Sequence, residues 1–116
     1  MRIIRTSSVF KRDYKRIKAT PRYAREIARL LTQVLDLLCA DEALPERHRD
    51  HSLIGNWRGF RECHLRPDLL LIYRLSKEAE EVQLARLGTH TDLFGWIPIA
   101  NTGQAEEHII NSADIL

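Results

Sequence analysis

The sequence predicts one α+β domain in the order β-α-α-β-β-β, with an antiparallel sheet packed against a helix hairpin. Three observations carry the prediction: a short apolar run at the start, helical periodicity up to residue 41, and three strand-length segments after residue 56. The length of 116 residues is near the commonest size of one domain. An apolar content of 44% is ordinary for a globular protein, so no unusual architecture is indicated.

The N-terminal part is predicted to form a strand and then two helices. The run RIIRTS, residues 2–7, has strand character, and Ser7 or Ser8 can cap the helix that follows. In residues 8–19 apolar side chains recur at helical spacing among many cations. After a proline break, residues 22–41 carry the longer apolar stripe and complete a helix hairpin. The stripe consists of Ala24, Ile27, Leu30, Leu31, Val34, Leu35 and Leu38.

The C-terminal part is predicted to contain three antiparallel strands and a tail. Residues 57–65, WRGFRECHL, alternate in polarity, and residues 69–75, LLLIYRL, form an apolar run of strand length. Residues 82–88, VQLARLG, follow an acidic turn as the last strand. We expect the domain to occupy residues 1–95, with residues 96–116 as a C-terminal extension to which we assign no chemistry.

Composition argues against several classes of protein. No apolar run approaches the roughly 20 residues that span a bilayer, and the start of the chain lacks the features of a signal peptide. Cys39 and Cys63 are too few for a disulfide framework, and there is no CxxC motif for zinc. We therefore expect a cytoplasmic protein with reduced thiols that does not associate with membranes.

The charge is unevenly distributed along the chain. Residues 1–61 hold fourteen Lys or Arg against seven Asp or Glu, a balance of +7, whereas residues 62–116 hold four against nine, a balance of −5. A basic half-chain favours a polyanion or an acidic protein as partner, because clustered cations gain from phosphate contacts and counterion release. A solvated charged helix surface explains the same composition equally well.

Four polar side chains form the candidate active site: His51, His64, Asp68 and His90. A short turn joins the strands of His64 and Asp68. The other two converge on them only if the loop of His51 folds over the sheet and the last strand ends beside the strand of His64. Imidazole titrates near neutrality, so histidines around one cleft can take and give protons. The cations able to stabilise developing phosphate charge are Arg58, Arg61 and Arg86. This combination suits metal-independent RNA cleavage, in which the 2′-OH of the RNA is the nucleophile.

Other interpretations of these residues stay open on spacing alone. A histidine in a loop is more often solvated than catalytic, and Asp68 can be a simple turn residue. Three histidines and an aspartate could also bind zinc, although His48-x-x-His51 in a loop is a weak metal signal. Trp57 and Phe60 are better explained by packing on the sheet than by stacking on bases.

The segment DHSLIGNWRGFRECHLRPDLLLIYRL, followed by RLGTHTDLFG, closely resembles the RelE/ParE superfamily of toxin–antitoxin toxins, in its YafQ-like branch. The resemblance covers about residues 3–95. It depends on an ordered set of residues rather than on any one dipeptide. The set consists of His51, Leu53, Gly55, Trp57, Gly59, Arg61, His64, Pro67, Asp68, Ile72, Tyr73, Gly88, Thr89, His90, Leu93 and Phe94.

The resemblance implies a RelE-like fold and an mRNA endoribonuclease that cuts codons in the ribosomal A site. It also implies a cognate antitoxin, through which alone the toxin reaches operator DNA, and no cofactor. The implied active-site residues are His51, His64, Asp68 and His90, with Phe94 contributing. As a working assignment, His64 or His51 is the base, His90 the acid and Asp68 the orienting carboxylate.

Alternatives within the same superfamily are an inhibitor of DNA gyrase and an inactive toxin that acts only in antitoxin binding and operon control. The histidine–aspartate set favours the nuclease, because a gyrase inhibitor has no need for it. Two partners suit the basic half-chain, ribosomal RNA and an acidic antitoxin segment. The helix cations that could contact either are Lys11, Arg12, Lys15, Arg16 and Lys18. Glu62, two residues before His64, can help to orient a neighbour.

Overall fold

The structure, a computed structural model, describes residues 1–94. The predicted extension at residues 96–116 lies outside the described residues. The observed elements confirm the predicted α+β order and add one short strand and one short helix. They are β1 (Ile3–Thr6), α1 (Ser8–Lys18), α2 (Ile27–Cys39), β2 (His51–Ser52), β3 (Arg61–Arg66), β4 (Leu69–Ser76), β5 (Glu81–Gly88) and α3 (His90–Phe94).

The five strands form one sheet in the order β1-β5-β4-β3-β2. Strands β2 to β5 pair antiparallel with their neighbours, as predicted for the C-terminal meander. The first strand pairs parallel with the last, with Ile3 opposite Glu81 and Thr6 opposite Leu84. None of the helices described within residues 1–94 is long and apolar enough to cross a membrane.

Helix α1 continues along the edge of β5 from the point where β1 ends. The Ser7 side chain caps the helix by accepting from the Phe10 N–H at 2.9 Å, and its hydroxyl donates to the Ala85 carbonyl at 2.9 Å. Further along α1, the Asp13 carboxylate accepts the Leu87 N–H at 3.0 Å. The side chains of Ser7 and Asp13 therefore bond to the Ala85 carbonyl and the Leu87 N–H at the edge of β5. A longer β1 would have paired with these backbone groups.

Helix α2 begins at Ile27, five residues later than the sequence predicted. The preceding residues form successive turns in which Tyr23 is buried and Ala24 is exposed, so Ala24 does not belong to the apolar stripe. The Tyr23 hydroxyl donates to Asp68 at 2.6 Å. This tie to the sheet holds the segment in turns where apolar spacing alone indicated helix.

The sheet buries apolar side chains on both faces. The helix face, which carries Cys63, Leu71 and Tyr73, packs against α1 and α2 in the larger core. The opposite face, here called the open face, carries Leu70 and Ile72. Its smaller cover is built from Trp57, Phe60, Leu93 and neighbouring apolar residues. Cys39 and Cys63 are both buried and are not joined in a disulfide.

The cover of the open face depends on a turn that extends through residues 57–60, where the alternating polarity predicts a strand. Residues Gly55–Trp57 form a short 3₁₀ helix and Gly59 adopts φ +91°, a conformation open to glycine. The rings of Trp57 and Phe60 meet edge to face with centroids 5.9 Å apart. Strand β3 therefore begins at Arg61, and the two aromatic residues pack on the sheet as expected.

Candidate functional site

Two of the predicted histidines meet around one carboxylate on the open face. Strand pairing sets His51 directly opposite Glu62, and His64 follows two residues later on the same face of β3. The Glu62 Oε1 atom lies 3.5 Å from His51 Nε2 and 3.9 Å from His64 Nε2. Glu62 is 7% exposed, whereas the His51 side chain is 51% exposed. We call these three residues the His–Glu–His cluster.

Backbone carbonyls fix the tautomer of both histidines in the cluster. His51 Nδ1 lies 2.7 Å from the Arg49 carbonyl, and His64 Nδ1 lies 3.3 Å from the Pro67 carbonyl. A carbonyl can only accept, so each Nδ1 carries a hydrogen and donates. In each ring Nε2 is then the atom that takes or gives a proton, and it faces the Glu62 carboxylate. That carboxylate can pair with either imidazolium.

A further histidine, His48, anchors the loop that leads to His51. Its ring is buried and donates from Nδ1 to the His64 carbonyl at 2.6 Å. The next residue, Arg49, adopts φ +46°, and its carbonyl is the one that meets His51. The hydrogen bond of His48 therefore holds the loop against β3. The carbonyl of the next residue, Arg49, is thereby placed to accept from His51.

Asp68 is held from the helix side, and no histidine within residues 1–94 bonds to it. Its Oδ2 atom accepts from the Tyr23 hydroxyl at 2.6 Å and pairs with Arg22 Nη2 at 2.8 Å. The Tyr23 hydrogen bond, assisted by Arg22, holds the pKa of Asp68 below its usual value. Because Pro67 precedes Asp68, these contacts also fix the turn whose carbonyl meets His64.

The third predicted histidine, His90, stands at the start of α3. A capping box begins this helix: the Thr89 hydroxyl accepts the Asp92 N–H at 3.1 Å, and Asp92 accepts the Thr89 N–H at 3.0 Å. The Phe94 ring packs on the His90 ring at 4.9 Å and on Trp57 at 5.9 Å. Phe94 thus connects His90 to the cover of the open face.

Strand β4 separates His90 from the His–Glu–His cluster. His64 pairs with Leu70, and Leu70 pairs with Gly88, two residues before His90. With neighbouring strands about 4.8 Å apart, the backbones of His64 and Gly88 are roughly 10 Å apart. Leu70, which is buried beneath the apolar cover, therefore lies between the cluster and the third histidine.

Two of the three arginines predicted to bind phosphate, Arg61 and Arg86, are paired with carboxylates of the protein. Arg86 is 6% exposed, and its Nε donates to Asp13 Oδ2 at 2.6 Å. The Arg61 guanidinium reaches the Asp50 carboxylate at 3.1 Å and 3.2 Å, and Asp50 also accepts from the Tyr73 hydroxyl. Burial and the Asp50 contact raise the pKa of Tyr73. Both arginines therefore stabilise the fold.

The other cations predicted to bind substrate are accessible. Arg58, Lys11 and Lys15 are exposed, and none of them forms an ion pair within residues 1–94. Arg58 lies in the turn before β3, while the two lysines lie on α1. The structure leaves all three available to an anionic partner, but it does not place the α1 lysines beside the histidines.

Two residues that matter to the geometry were not among the predicted site residues. Glu62 was noted only as a neighbour of His64, although the alternation of β3 already placed both on one face. His48 looked like half of a weak metal motif. Within residues 1–94, no group of three or more His, Cys, Asp or Glu side chains has an arrangement suited to a metal ion.

Sequence comparisons place this chain near known toxins. The family model described as the bacterial toxin of type II toxin–antitoxin systems, YafQ, matches residues 2–95. The mRNA interferase toxin YafQ of Escherichia coli strain B is 32% identical over 94 residues, which cover 81% of this chain and 97% of the relative. The putative toxin YafQ of Haemophilus influenzae is 44% identical over 50 residues. That match spans only about half of the relative, 49%, and 41% of this chain.

Solved structures agree with the sequence comparisons. A metal-bound toxin from Helicobacter pylori superposes with a TM-score of 0.70 at 38% identity, covering 81% of this chain and all of the other. The E. coli DinJ–YafQ complex matches with a TM-score of 0.68 at 32% identity, covering 82% of this chain and 100% of the matched chain. At these identities and TM-scores the likeness extends to sequence as well as fold.

Proposed function

Because the chain belongs to the YafQ family of toxins of type II toxin–antitoxin systems, we propose that it is an mRNA endoribonuclease acting on codons in the ribosomal A site. One observation carries the proposal. In the His–Glu–His cluster the Nε2 atoms of two histidines face one carboxylate. Leu70 lies between this cluster and His90. RNA cleavage by its own 2′-OH requires a base and a separate acid, because one group removes a proton and the other supplies one.

In the proposed reaction a base in the His–Glu–His cluster removes the proton of the 2′-OH. The 2′-oxygen attacks the adjacent phosphorus, the bond from phosphorus to the 5′-oxygen breaks, and His90 supplies the proton to that leaving oxygen. The products are a 2′,3′-cyclic phosphate and a 5′-hydroxyl end. The RNA brings its own nucleophile, so this scheme needs neither a covalent enzyme intermediate nor a cofactor.

The surrounding residues support these roles by holding the rings. His64, which is less exposed and fixed through Pro67, is the favoured base. Glu62 pairs with the imidazolium that the base becomes, and Asp68 acts on His64 through the turn at Pro67. Asp68 is then a positioning residue and does not touch the substrate.

A cognate antitoxin is the second part of the proposal. The related E. coli YafQ is found in a complex with DinJ, and we expect an equivalent protein to bind and neutralise this chain. Any contact with operator DNA would run through that antitoxin. The exposed cations of α1, Lys11 and Lys15 among them, suit ribosomal RNA or an acidic antitoxin segment.

The test is induced expression in cells that lack an antitoxin, with transcript 5′ ends mapped soon after induction. We compare the wild type with His90→Ala and with Thr91→Ala, an exposed neighbour on α3 that serves as the matched control. New 5′ ends within translated codons are expected for the wild type and for Thr91→Ala, and their loss for His90→Ala. Growth arrest without new ends would overturn the proposal and point to another target such as gyrase.

A second variant tests the base in the same experiment. His64→Ala should lower cleavage by about 10²- to 10⁴-fold, the usual contribution of a general base, while antitoxin binding is retained. If His64→Ala and His90→Ala both arrest growth as the wild type does at matched expression, the proposed mechanism is wrong.

A further inference from the structure

We propose that a basic pocket beside the His–Glu–His cluster binds one phosphate group of the mRNA next to the scissile linkage. The pocket, of about 370 Å³, is lined by Arg47, Arg49, His64 and Pro67. The inference rests on the proposed function, because it takes RNA to be the substrate, and it adds a binding site for the part of the substrate that does not react. We call it the arginine pocket.

No carboxylate among residues 1–94 pairs with the arginines of the arginine pocket. Arg47 and Arg49 are both exposed, and neither forms an ion pair with any residue between 1 and 94. Most other arginines of this part of the chain are paired with a carboxylate. The paired ones are Arg2, Arg5, Arg16, Arg22, Arg29, Arg61, Arg66 and Arg86. Two arginines that line one cavity and have no carboxylate partner among the described residues favour the binding of an anion.

The backbone holds the two arginines beside the catalytic groups. His48, which lies between them in sequence, is buried and fixed to the His64 carbonyl, so the residues on either side line the cavity. Arg49 has φ +46°, a left-handed conformation that is uncommon for a residue other than glycine. In that conformation its carbonyl meets His51 Nδ1, and the residue also lines the pocket. One backbone geometry thus serves both the proton-transfer group and the proposed anion site.

The chemistry of the pocket fits a phosphodiester. Guanidinium groups donate in a planar fork that matches the oxygens of a phosphate. His64 lines the same cavity, so a phosphate bound there lies next to the linkage at which His64 acts. A phosphate that flanks the scissile linkage would pair with the arginines and lie next to His64. Its binding would also fix the position of the reacting ribose.

The first experiment measures binding without cleavage. A short single-stranded RNA with a 2′-deoxy central nucleotide is titrated into the wild type, the Arg47→Ala/Arg49→Ala variant and Arg25→Ala, at salt from about 50 to 200 mM. Arg25 is an exposed, unpaired arginine outside the pocket and serves as the matched control. The double variant should bind roughly tenfold or more weakly, and its slope of log affinity against log salt should be shallower by about 0.7, one phosphate contact.

The second experiment identifies the phosphate. Each linkage of the same RNA is replaced in turn by an uncharged methylphosphonate. For the wild type, the replacement that weakens binding most should be at one linkage beside the central nucleotide. For the double variant, the same replacement should not weaken binding any further. If the double variant binds like the wild type, or no more weakly than Arg25→Ala, the pocket does not hold the RNA. Loss of affinity without coupling to any linkage would also overturn the inference, as would a pocket that binds only an acidic antitoxin peptide.

Failure of this inference can be told apart from failure of the proposed function. The binding assay needs no catalysis, so a wild type that shows the coupled linkage but cuts no translated mRNA would refute the nuclease alone. A wild type that cuts mRNA while the arginine variants bind normally would refute the arginine pocket alone. A urea unfolding curve for each variant confirms that the exposed substitutions leave the fold intact.

Discussion

Two charged groups of side chains stand at opposite ends of one cross-strand row of the sheet, and they differ in what surrounds them. Glu62 pairs with Ile72, and Ile72 pairs with Arg86. At the first end the His–Glu–His cluster is partly open to solvent. At the other end Arg86 meets Asp13 under helix α1, with exposures of 6% and 2%; we call this the sealed pair.

The comparison shows that burial separates two roles of charged side chains in this fold: a fully buried ion pair contributes to stability, whereas a partly exposed group can react. Removing one partner of a buried ion pair leaves an uncompensated charge in a poorly polarisable interior. The sealed pair therefore contributes to stability and is closed to a substrate. The His–Glu–His cluster keeps its Nε2 atoms near the surface, where proton exchange is possible. A sequence pattern gives residue types and spacing, and neither distinguishes these two environments.

Breaking the sealed pair should give the largest effect on stability. Asp13→Ala leaves Arg86 buried without a partner, so we expect the free energy of unfolding to fall by about 3–5 kcal/mol, measured by urea denaturation. Arg29→Ala, which removes the exposed partner of Glu26 on helix α2, is the control and should cost less than about 1 kcal/mol. A loss below about 1 kcal/mol for Asp13→Ala would mean that the two ends of the row do not differ as described.

Substitution of Gly88 should affect both stability and mRNA cleavage, because Gly88 lies close to Arg16, a neighbour of the sealed pair, and to α3, which carries His90. A Cβ atom there would stand 2.9 Å from the Asp92 Cβ and 3.2 Å from Arg16 Nη2, and Arg16 also contacts Asp13. Gly88→Ala should displace α3 together with His90, lowering the free energy of unfolding by about 1–3 kcal/mol and reducing mRNA cleavage. Differential scanning calorimetry and the cleavage assay measure these, with Thr91→Ala as control. Wild-type values for both would show that α3 accommodates the methyl group.

Neutralising the His–Glu–His cluster should change activity and leave stability intact. Glu62→Gln keeps the shape but loses the charge that pairs with an imidazolium, so kcat should fall about tenfold, equivalent to about 1.4 kcal/mol. Stability should be unchanged or slightly raised, because a buried charge is removed.

A double-mutant cycle with His51→Ala examines whether Glu62 acts through the histidines. If Glu62 acts by holding them, adding Glu62→Gln to His51→Ala should lower kcat by less than it does in the wild type, with KM little changed. Fully additive losses would show that Glu62 acts independently of His51.

The smallest expected effect concerns Asp68 and pH. Its folded-state pKa lies below the ordinary value of about 3.9, so its contribution to stability is present above that value and is lost as the pH falls through the lowered pKa. The difference in unfolding free energy between the wild type and Asp68→Asn, less than about 1 kcal/mol for so exposed a pair, should shrink below about pH 4. Urea unfolding at pH 7, 4 and 2.5 measures it; a difference that grows on acidification would contradict the assignment.

Regular elements could be predicted from the sequence because periodicity reports burial directly. The strands at residues 69–75 and 82–88 were predicted to within one residue at each end. The start of α2 and the turn before β3 were missed. The first depends on a long-range hydrogen bond from Tyr23, and the second on a left-handed conformation at Gly59, neither of which has a local periodic signal.

The candidate site could be predicted in part, since its histidines stand out by chemistry and by resemblance. Hairpin geometry placed Asp68 beside His64, but the carboxylate that meets the ring belongs to Glu62. Recognising this needs the pairing of β2 with β3, which brings His51 opposite Glu62. The pairing of Arg86 with Asp13 could not be predicted, because burial under α1 is a tertiary property that strand alternation does not reveal.

The strand order also has a consequence for the timing of synthesis. Strand β5 lies between β1 and β4, and Ser7 contacts Ala85 across 78 residues of chain. A nascent chain that has not yet reached β5 cannot complete its sheet, and His90 is made later still. Folding must therefore wait for long-range closure, which is slow compared with local pairing. For a protein proposed to attack translating ribosomes, this delay would keep the emerging chain harmless to the ribosome that is making it.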